Sequence, residues 1–254
     1  MDHGILVLAA GLAAGTMNAL AGGGSFVSLP ALIAAGVPSV QANASSTVAL
    51  FPGGAASAWT YRDGLGPVGA ASLRALLVAT LIGGALGAVL LLSTPTRAFD
   101  LALPWLLLLT SVMLAAGPRL GPWLRRHCVL RPSALLGVQV ILGVYGGYFG
   151  GAVGIMMVAA WGLLDGRELK SLNAARTLLV TAANTIAVII FVTARAVYWR
   201  STLVMLVGAI AGGYFGARFG RRIPPHLTRR GTLILAVCIT VVFFVRAYKG
   251  ATAP

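Results

Sequence analysis

Long apolar stretches separated by short polar segments make up almost the whole chain. Eight apolar blocks can be delimited, at positions 4–35, 43–60, 67–93, 99–117, 134–164, 172–194, 199–217 and 231–248. A helix of about twenty apolar residues covers the hydrocarbon thickness of a bilayer. The pattern therefore predicts an all-α, polytopic helical membrane protein with about eight to ten helices.

Two blocks are too long for one span, and both are interrupted by glycine. The first contains Gly22–Gly24, and the fifth contains a glycine-rich stretch between Gly143 and Gly154. Glycine in a helix costs about 1 kcal/mol relative to alanine, so a cluster of glycines favours unwound backbone. Each of these blocks is predicted to form a broken or re-entrant helical hairpin, and Ser25 is expected to cap the helix that restarts after the first break.

The chain also repeats itself weakly. Gly24, Asn43, Ala44 and Thr47 align with Gly154, Asn173, Ala174 and Thr177, and Gly83-Gly84-x-x-Gly87-Ala88 aligns with Gly212-Gly213-x-x-Gly216-Ala217. Ladders of small residues, including Gly143-x3-Gly147 and Gly212-x3-Gly216, are typical of helix-packing faces. Two transmembrane repeats are therefore predicted at 1–120 and 134–254, each with a hairpin and three spans, joined by a basic linker at 121–133.

The distribution of basic residues favours an inverted arrangement of the repeats. If both hairpins return to their starting side, loops 61–66, 118–133, 165–171 and 218–230 share one side and hold 12 of the 19 lysines and arginines, against 5 on the other. Basic loops face the cytoplasm. A multi-pass protein of the cell inner membrane is predicted, with loops 118–133 and 218–230 cytoplasmic. Inverted repeats with interrupted helices are a common build of secondary transporters.

Composition excludes several classes of protein. The chain is 58% hydrophobic and 9% charged, whereas soluble domains carry roughly 25% charged residues. The net charge of +14 is assigned to membrane-flanking loops and lipid headgroups, not to nucleic acid. With two cysteines, and no histidine inside the apolar blocks, we expect no metal, no cofactor and no enzymatic activity. All five acids lie at block ends or in loops, so the pathway should favour anions or neutral solutes.

Three groups of residues are candidates for substrate binding. The first surrounds the first glycine break and comprises Asn18, Gly22, Gly23, Gly24 and Ser25, where free amides at a helix start suit an anion. Tight packing against another helix is the alternative explanation for these glycines. The second group is the pair of Asn-Ala-x-x-Thr motifs, whose polar side chains are Asn43, Ser45, Ser46, Thr47, Asn173 and Thr177. Helix capping is the alternative there.

The third candidate is Arg176, which is the counterpart of Ser46 in the repeat. An arginine inside a membrane is costly and points to function. Its guanidinium binds oxyanions with two parallel hydrogen bonds. The alternative is an arginine that extends to the cytoplasmic interface near Lys170.

The N-terminal part of the chain resembles a known family, the sulfite exporter TauE/SafE family of membrane permeases. The resemblance lies in three segments, namely Gly11-x3-Gly15-x2-Asn18-Ala-x2-Gly-Gly-Gly-Ser, then Leu29-Pro30, then Gly-Val-Pro-x4-Asn-Ala-Ser-Ser-Thr at 36–47. The resemblance implies transport of sulfur oxyanions such as sulfite, or of organosulfonates, and it gives recurrent family positions to Asn18, Gly22, Gly23, Gly24, Pro30, Asn43 and Thr47. The second copy departs from the pattern at Ile155-Met156-Met157 and at Ala160, which stands in the place of Pro30.

These observations predict a secondary transporter for small anions, a sulfite or an organosulfonate, that works by alternating access between inverted repeats. Its partners are expected to be the small anionic substrate and the lipid bilayer. An anion channel would show the same basic, acid-free pathway. A membrane subunit of a multi-component transport system is a further alternative.

Overall fold

The structure, a computed structural model, describes residues 3–21, 23–66, 68, 71–127, 132–151, 153–161, 172–220 and 225–249. Within these ranges there are ten α-helices and one 3-10 turn, Arg62–Gly64. The β-pairing found there is a single bridge between Val68 and Ala71. The helices are α1 (His3–Ala21), α2 (Ser25–Ala34), α3 (Ser39–Thr60), α4 (Leu73–Ser93), α5 (Thr96–His127), α6 (Pro132–Tyr148), α7 (Val153–Trp161), α8 (Asn173–Thr193), α9 (Trp199–Gly220) and α10 (Pro225–Lys249).

The predicted all-α membrane fold is confirmed. Four of the described helical stretches are long and apolar enough to cross a bilayer, namely Leu73–Ser93, Thr96–Ala116, Asn173–Thr193 and Arg230–Tyr248. Shorter apolar helices lie at Gly4–Leu20, Ser25–Ala34 and Ala134–Tyr148. Many large apolar side chains on these helices are exposed, as lipid-facing side chains are in a polytopic membrane protein.

The order of helix lengths occurs twice. Helices of 19, 10, 22, 21 and 32 residues (α1–α5) are followed by helices of 17, 9, 21, 22 and 25 residues (α6–α10). An internal repeat produces such an order, in which a long helix and a half-length helix precede three long ones. Helix α5 continues to His127, so helical structure extends into the segment 121–133.

Both predicted breaks are present. Helix α1 ends at Ala21 and α2 begins at Ser25, and α6 ends at Tyr148 before α7 begins at Val153. Gly150 in the second break has a φ of +80°, a left-handed conformation that glycine adopts without a steric penalty. The expected cap on α2 is wrong. Gly24 is the N-cap, it offers no side chain, and Ser25 is the first helical residue.

The chain forms two compact units, and each draws on both halves of the sequence. Unit 1 comprises 1–53, 92–112 and 191–254. Unit 2 comprises 54–91 and 113–190. Unit 1 thus contains α1, α2, α9 and α10 with the first part of α3, and unit 2 contains α4, α6 and α7 with most of α8.

In unit 1, α1 and α9 cross at very short range. A Cβ on Gly212 would overlap the carbonyl of Leu12, and a Cβ on Gly15 would overlap that of Ala209. Thr16 adds a polar contact, because its hydroxyl lies 3.0 Å from the carbonyl oxygen of Gly212. Small residues allow helix backbones to approach closely in membranes. The predicted packing role of the Gly212-x3-Gly216 ladder is confirmed, since a Cβ on Gly216 would lie 2.9 Å from the Cα of Thr16.

In unit 2, α4 and α6 make an equivalent crossing. A Cβ on Gly83 would overlap the carbonyl of Val140, and a Cβ on Gly143 would lie 2.9 Å from the carbonyl oxygen of Thr80. The ladder Gly143-x3-Gly147 is thereby confirmed as a packing face, because Gly147 meets the backbone of Gly84 in the same way. The two crossings correspond residue by residue, and the matched pairs are Gly83 with Gly212, Val140 with Leu12, Gly143 with Gly15, and Thr80 with Ala209.

Candidate functional site

The break between α1 and α2 is tightly packed. A Cβ on Gly24 would lie 2.6 Å from the carbonyl oxygen of Ala14 and 3.1 Å from the Cβ of the half-buried Asn18. A Cβ on Gly23 would lie 2.8 Å from Cγ2 of Thr232 on α10. Close packing is therefore one physical reason for glycine at 23 and 24. Gly22 lies outside the described residues.

Hydrogen bonding at the start of α2 limits what the break can offer a ligand. The amide of Phe26 donates to the carbonyl of Gly23 at 3.1 Å. The amides of Val27 and Ser28 donate to the carbonyl of Gly24 at 3.0 and 3.1 Å. These three N–H groups are already used, and the candidate amides for an anion are those of Gly23, Gly24 and Ser25.

Ser46 is joined to α2. The Ser28 hydroxyl donates to the carbonyl of Gly24 at 3.2 Å, and the oxygens of Ser28 and Ser46 are 2.6 Å apart. Either hydroxyl can donate to the other, and both side chains are buried. The contact links α2 to α3.

The neighbouring Ser45 also serves the protein itself. Its hydroxyl accepts a hydrogen bond of 2.9 Å from the amide of Tyr198, immediately before α9 begins. The first amides of a helix have no partner within the helix. Ser45 thus caps α9 from a different helix, within unit 1.

The two Asn-Ala-x-x-Thr motifs have the same internal hydrogen bond. The hydroxyl of Thr47 donates to the carbonyl of Asn43 at 3.0 Å, and that of Thr177 donates to the carbonyl of Asn173 at 2.8 Å. Both threonine protons are therefore directed along the helix. Asn173 is the first residue of α8, but the buried Asn43 lies one turn inside α3, which begins at Ser39. Capping does not account for Asn43.

Arg176 is half-buried in the first turn of α8, where it contacts α7. A Cβ on Gly154 would lie 3.3 Å from both Cγ and Cδ of Arg176, so the absence of a side chain at 154 leaves room for the arginine methylenes. Gly154 is the second residue of α7. The methylenes of Arg176 therefore pack against α7 next to the second hairpin break.

The end of α3 completes the surroundings of Arg176. The Thr181 hydroxyl donates to the carbonyl of Gly54 at 3.1 Å, and a Cβ on Gly64 would lie 3.4 Å from the Cβ of Ala174, so α3 and the 3-10 turn run along α8. This places Tyr61 within electrostatic range of Arg176. Among the described residues the recorded ion pair is Arg62–Asp63, at 3.7 Å, and no described carboxylate pairs with Arg176.

The candidate residues thus form two groups, one in each unit. Unit 1 holds Asn18, Gly23, Gly24, Ser25, Asn43, Ser46 and Thr47, and unit 2 holds Asn173, Arg176 and Thr177. Sequence reasoning missed the contact of Gly154 with Arg176, which arises only through tertiary packing. In the described part of the chain no three His, Cys, Asp or Glu side chains cluster as metal ligands do.

Sequence reasoning also missed a buried polar chain in unit 2. The indole N–H of Trp161 donates to Oε1 of Gln139 at 3.1 Å, and Nε2 of Gln139 donates to the hydroxyl of Thr80 at 2.8 Å. Thr80 in turn donates to the carbonyl of Leu76 at 2.7 Å. All three side chains are fully buried. The available signal was a glutamine inside an otherwise apolar block, which is by itself unusual in a membrane.

Membrane-spanning helices, paired broken hairpins and polar groups beside each break define a polytopic helical membrane transporter. The model of the family described as Sulfite exporter TauE/SafE matches residues 7–243, and the chain belongs to this family.

Curated relatives agree with this assignment. The chain is 29% identical over 251 residues to a "Probable membrane transporter protein" of Haemophilus influenzae, covering 97% of this chain and 96% of the relative. It is 30% identical over 247 residues to "Probable membrane transporter protein YfcA" of Escherichia coli K12, covering 97% and 88%. It is 26% identical over 230 residues to "Probable membrane transporter protein ORF9" of a Sinorhizobium species, covering 90% and 87%. No solved structure matches the chain.

Proposed function

We propose that this transporter moves small anions, a sulfite or an organosulfonate, by alternating access between inverted repeats. The observation that carries the proposal is Arg176, a half-buried guanidinium in a membrane-spanning helix with no described carboxylate partner. The electrostatic cost of a cation inside the membrane is offset when an anion binds to it.

The chemistry of the surroundings favours an oxyanion head. A guanidinium binds two oxygens of a sulfonate, sulfite or carboxylate at once. The side-chain amides of Asn43 and Asn173 are proposed as neutral donors at equivalent positions of the two repeats. Thr47 and Thr177 use their protons within the helix. The choice of sulfur oxyanions among oxyanions rests on the family description alone.

The proposed binding residues fall into direct and supporting roles. Arg176 and Asn173 are proposed to contact the anion in the second repeat, with Thr177 shaping the turn that carries them. In the first repeat, Asn18, Asn43 and the amides of Gly23, Gly24 and Ser25 are proposed donors, with Gly22 as part of the same break. Ser46, whose hydroxyl pairs with Ser28, and Thr47, whose proton is used on Asn43, are proposed to line this region without donating to the anion.

The proposed orientation follows the basic loops. Loops 118–133 and 218–230 are placed on the cytoplasmic side of the inner membrane. Inversion puts the equivalent loops near Thr96 and Ile223 on opposite sides. Cysteines at these two positions, in a background without Cys128 and Cys238, should react with an impermeant thiol reagent from opposite sides, and labelling of both from one side contradicts the inversion.

The deciding experiment compares Arg176→Gln and Arg176→Lys in the purified protein. Losing a charge-assisted bidentate contact costs about 2 kcal/mol, so Gln should weaken the affinity for sulfite or methanesulfonate roughly thirtyfold. Lysine keeps the charge but not the paired geometry and should recover only part of the loss. The loss should be larger for doubly charged than for singly charged anions. Isothermal titration at several salt concentrations measures these affinities.

A matched control is available at Arg74, an exposed arginine in the first turn of α4. Arg74→Gln should leave the affinity unchanged. If the wild type and both Arg176 variants bind with equal affinity, Arg176 is an interfacial anchor. The same conclusion follows if Arg176→Lys binds like the wild type and Arg176→Gln differs only by lower expression. Saturating flux in liposomes that contain this chain alone supports a transporter, whereas flux that does not saturate supports a channel.

A further inference from the structure

The Trp161–Gln139–Thr80 chain joins three helices of unit 2. Trp161 is the last residue of the half-helix α7, Gln139 lies in α6, and Thr80 lies in α4 at the close crossing with α6. Gln139 receives one hydrogen bond and donates another, and both contacts are fully buried. The end of α7 is thereby attached to the glycine-packed pair formed by α4 and α6.

Unit 1 has no polar side chains at the equivalent positions. The crossing of α1 and α9 matches Gly11 to Gln139 and Ala209 to Thr80, and the alignment of Gly24 with Gly154 matches Ala31 to Trp161. A glutamine cannot replace Gly11, because even a Cβ there would overlap the carbonyl of Met205. The half-helix α2 is joined to α3 instead, through Ser28 and Ser46.

We infer that Gln139 is a positioning residue for transport, which holds α7 on the α4–α6 pair, whereas the matching half-helix α2 is held by α3. Helices in a bilayer associate through close packing and buried hydrogen bonds, because lipid competes for their apolar surfaces. Breaking the chain at Gln139 leaves the indole N–H of Trp161 buried without its acceptor, whereas the Thr80 hydroxyl keeps its bond to the carbonyl of Leu76. Helix α7 must then shift until the indole N–H finds another acceptor.

A shift of α7 has a direct consequence at its other end. Gly154 lies in the first turn of α7, and its lack of a side chain leaves room for the Arg176 methylenes, which would lie about 3.3 Å from a Cβ at this position. A shift of α7 therefore changes the space that is available to the Arg176 side chain. This consequence for substrate affinity rests on the proposed function, whereas the attachment of α7 does not.

The test measures the mobility of α7 directly. Single cysteines are placed at Ile155 and at Val27, each the half-buried third residue of its half-helix (α7 and α2), in a background without Cys128 and Cys238. The rate of N-ethylmaleimide labelling is measured in nanodiscs, in otherwise wild-type protein and with Gln139→Leu, Thr80→Val or Thr80→Ser.

Gln139→Leu and Thr80→Val should raise the labelling rate at 155 at least fivefold and leave the rate at 27 unchanged. Thr80→Ser keeps the hydroxyl, so this variant should label at the wild-type rate. Thr240→Val is the control, because it removes a buried hydroxyl pair with Ser111 in unit 1 that joins α10 to α5 and not a half-helix to its neighbours. Unchanged labelling at 155 in folded Gln139→Leu and Thr80→Val, or an equal rise with Thr240→Val, would overturn the inference.

A second measurement separates this inference from the proposed anion site. In Gln139→Leu and Thr80→Val, the affinity for methanesulfonate should fall by about threefold to tenfold together with the faster labelling. Thr80→Ser should match the wild type in both measurements. Faster labelling without any methanesulfonate binding in the wild type sustains the attachment of α7 and contradicts the anion proposal. Wild-type binding with unchanged labelling in Gln139→Leu and Thr80→Val sustains the anion proposal and contradicts the attachment.

Discussion

The crossing of α1 with α9 and the crossing of α4 with α6 share one backbone arrangement and differ in their interiors. Both bring helix backbones together at glycine, with Gly212 against Leu12 in one and Gly83 against Val140 in the other. The α1–α9 crossing has Gly11 where the α4–α6 crossing has Gln139. One crossing is therefore closed by backbone contact along its length, and the other includes a buried polar chain.

The difference shows which part of the repeat is constrained by geometry. Glycine at the points of closest approach is required in both copies, because the backbone of the facing helix occupies the place of a side chain. One turn away, the helices of unit 2 leave room for Gln139 and the helices of unit 1 do not. The two units can thus share one crossing geometry while only unit 2 has a buried polar contact there.

The largest effect should come from adding a methyl group at either crossing. Gly212→Ala and Gly83→Ala place a Cβ on a backbone carbonyl that cannot move without displacing its helix, so each should cost about 3 kcal/mol or prevent folding. Thermal unfolding followed by size-exclusion chromatography measures this.

Gly137→Ala on α6 is the matched control for these two variants. A Cβ there meets nothing within 4 Å, so the variant should be neutral or more stable by up to about 1 kcal/mol. If Gly212→Ala or Gly83→Ala melts like wild type, the glycines do not define the crossings.

A smaller effect is expected when unit 2 is given the residue of unit 1. Gln139→Gly removes both hydrogen bonds and leaves a cavity beside Trp161 and Thr80, so it should destabilise the protein by about 2 kcal/mol. The double variant with Trp161→Phe should lose less than the sum of the single variants, by about 1 kcal/mol, because the two residues share one bond. Strict additivity in this cycle would show that the contact contributes nothing.

The smallest effect concerns how α4 and α9 begin. Ser72 caps α4 locally by accepting a hydrogen bond of 3.2 Å from the amide of Ala75 at an exposed position, whereas the buried Ser45 caps α9 from α3. Ser45→Ala should cost about 1 kcal/mol. Ser72→Ala should cost less, because water can replace an exposed cap. A reversed order in melting temperature would contradict the assignment of these caps.

The helices and their interruptions were predictable because their signals are local. Glycine clusters in overlong apolar blocks indicated the ends of α1 and α6, and the structure places those ends at Ala21 and Tyr148. The start of α3 at Ser39 was not predicted, because the polar residues Ser39 and Gln41 interrupt the apolar pattern before position 43. The same limitation hid the continuation of α5 to His127, where prolines and basic residues interrupt the apolar pattern.

The site was predictable only as a set of residue types. Sequence spacing singled out Arg176, Asn43 and Asn173, but it could not show that Ser46 pairs with Ser28 or that Thr47 and Thr177 bond within their own helices. Contacts such as Arg176 with Gly154 depend on which helices meet. No periodicity along one segment contains that information.

The interleaved composition of the two units has a consequence for biogenesis. Residues are made and inserted in order, and unit 2 is complete once position 190 has been synthesised. Helix α1 must wait in the membrane for α9, since Thr16 and Gly212 are separated by 196 positions. During translation the glycine face of α1 therefore lies against lipid or the insertion machinery, while α4 and α6 can already have joined. A chain truncated before α9 would contain a complete unit 2 and a helix α1 whose glycine face lacks α9.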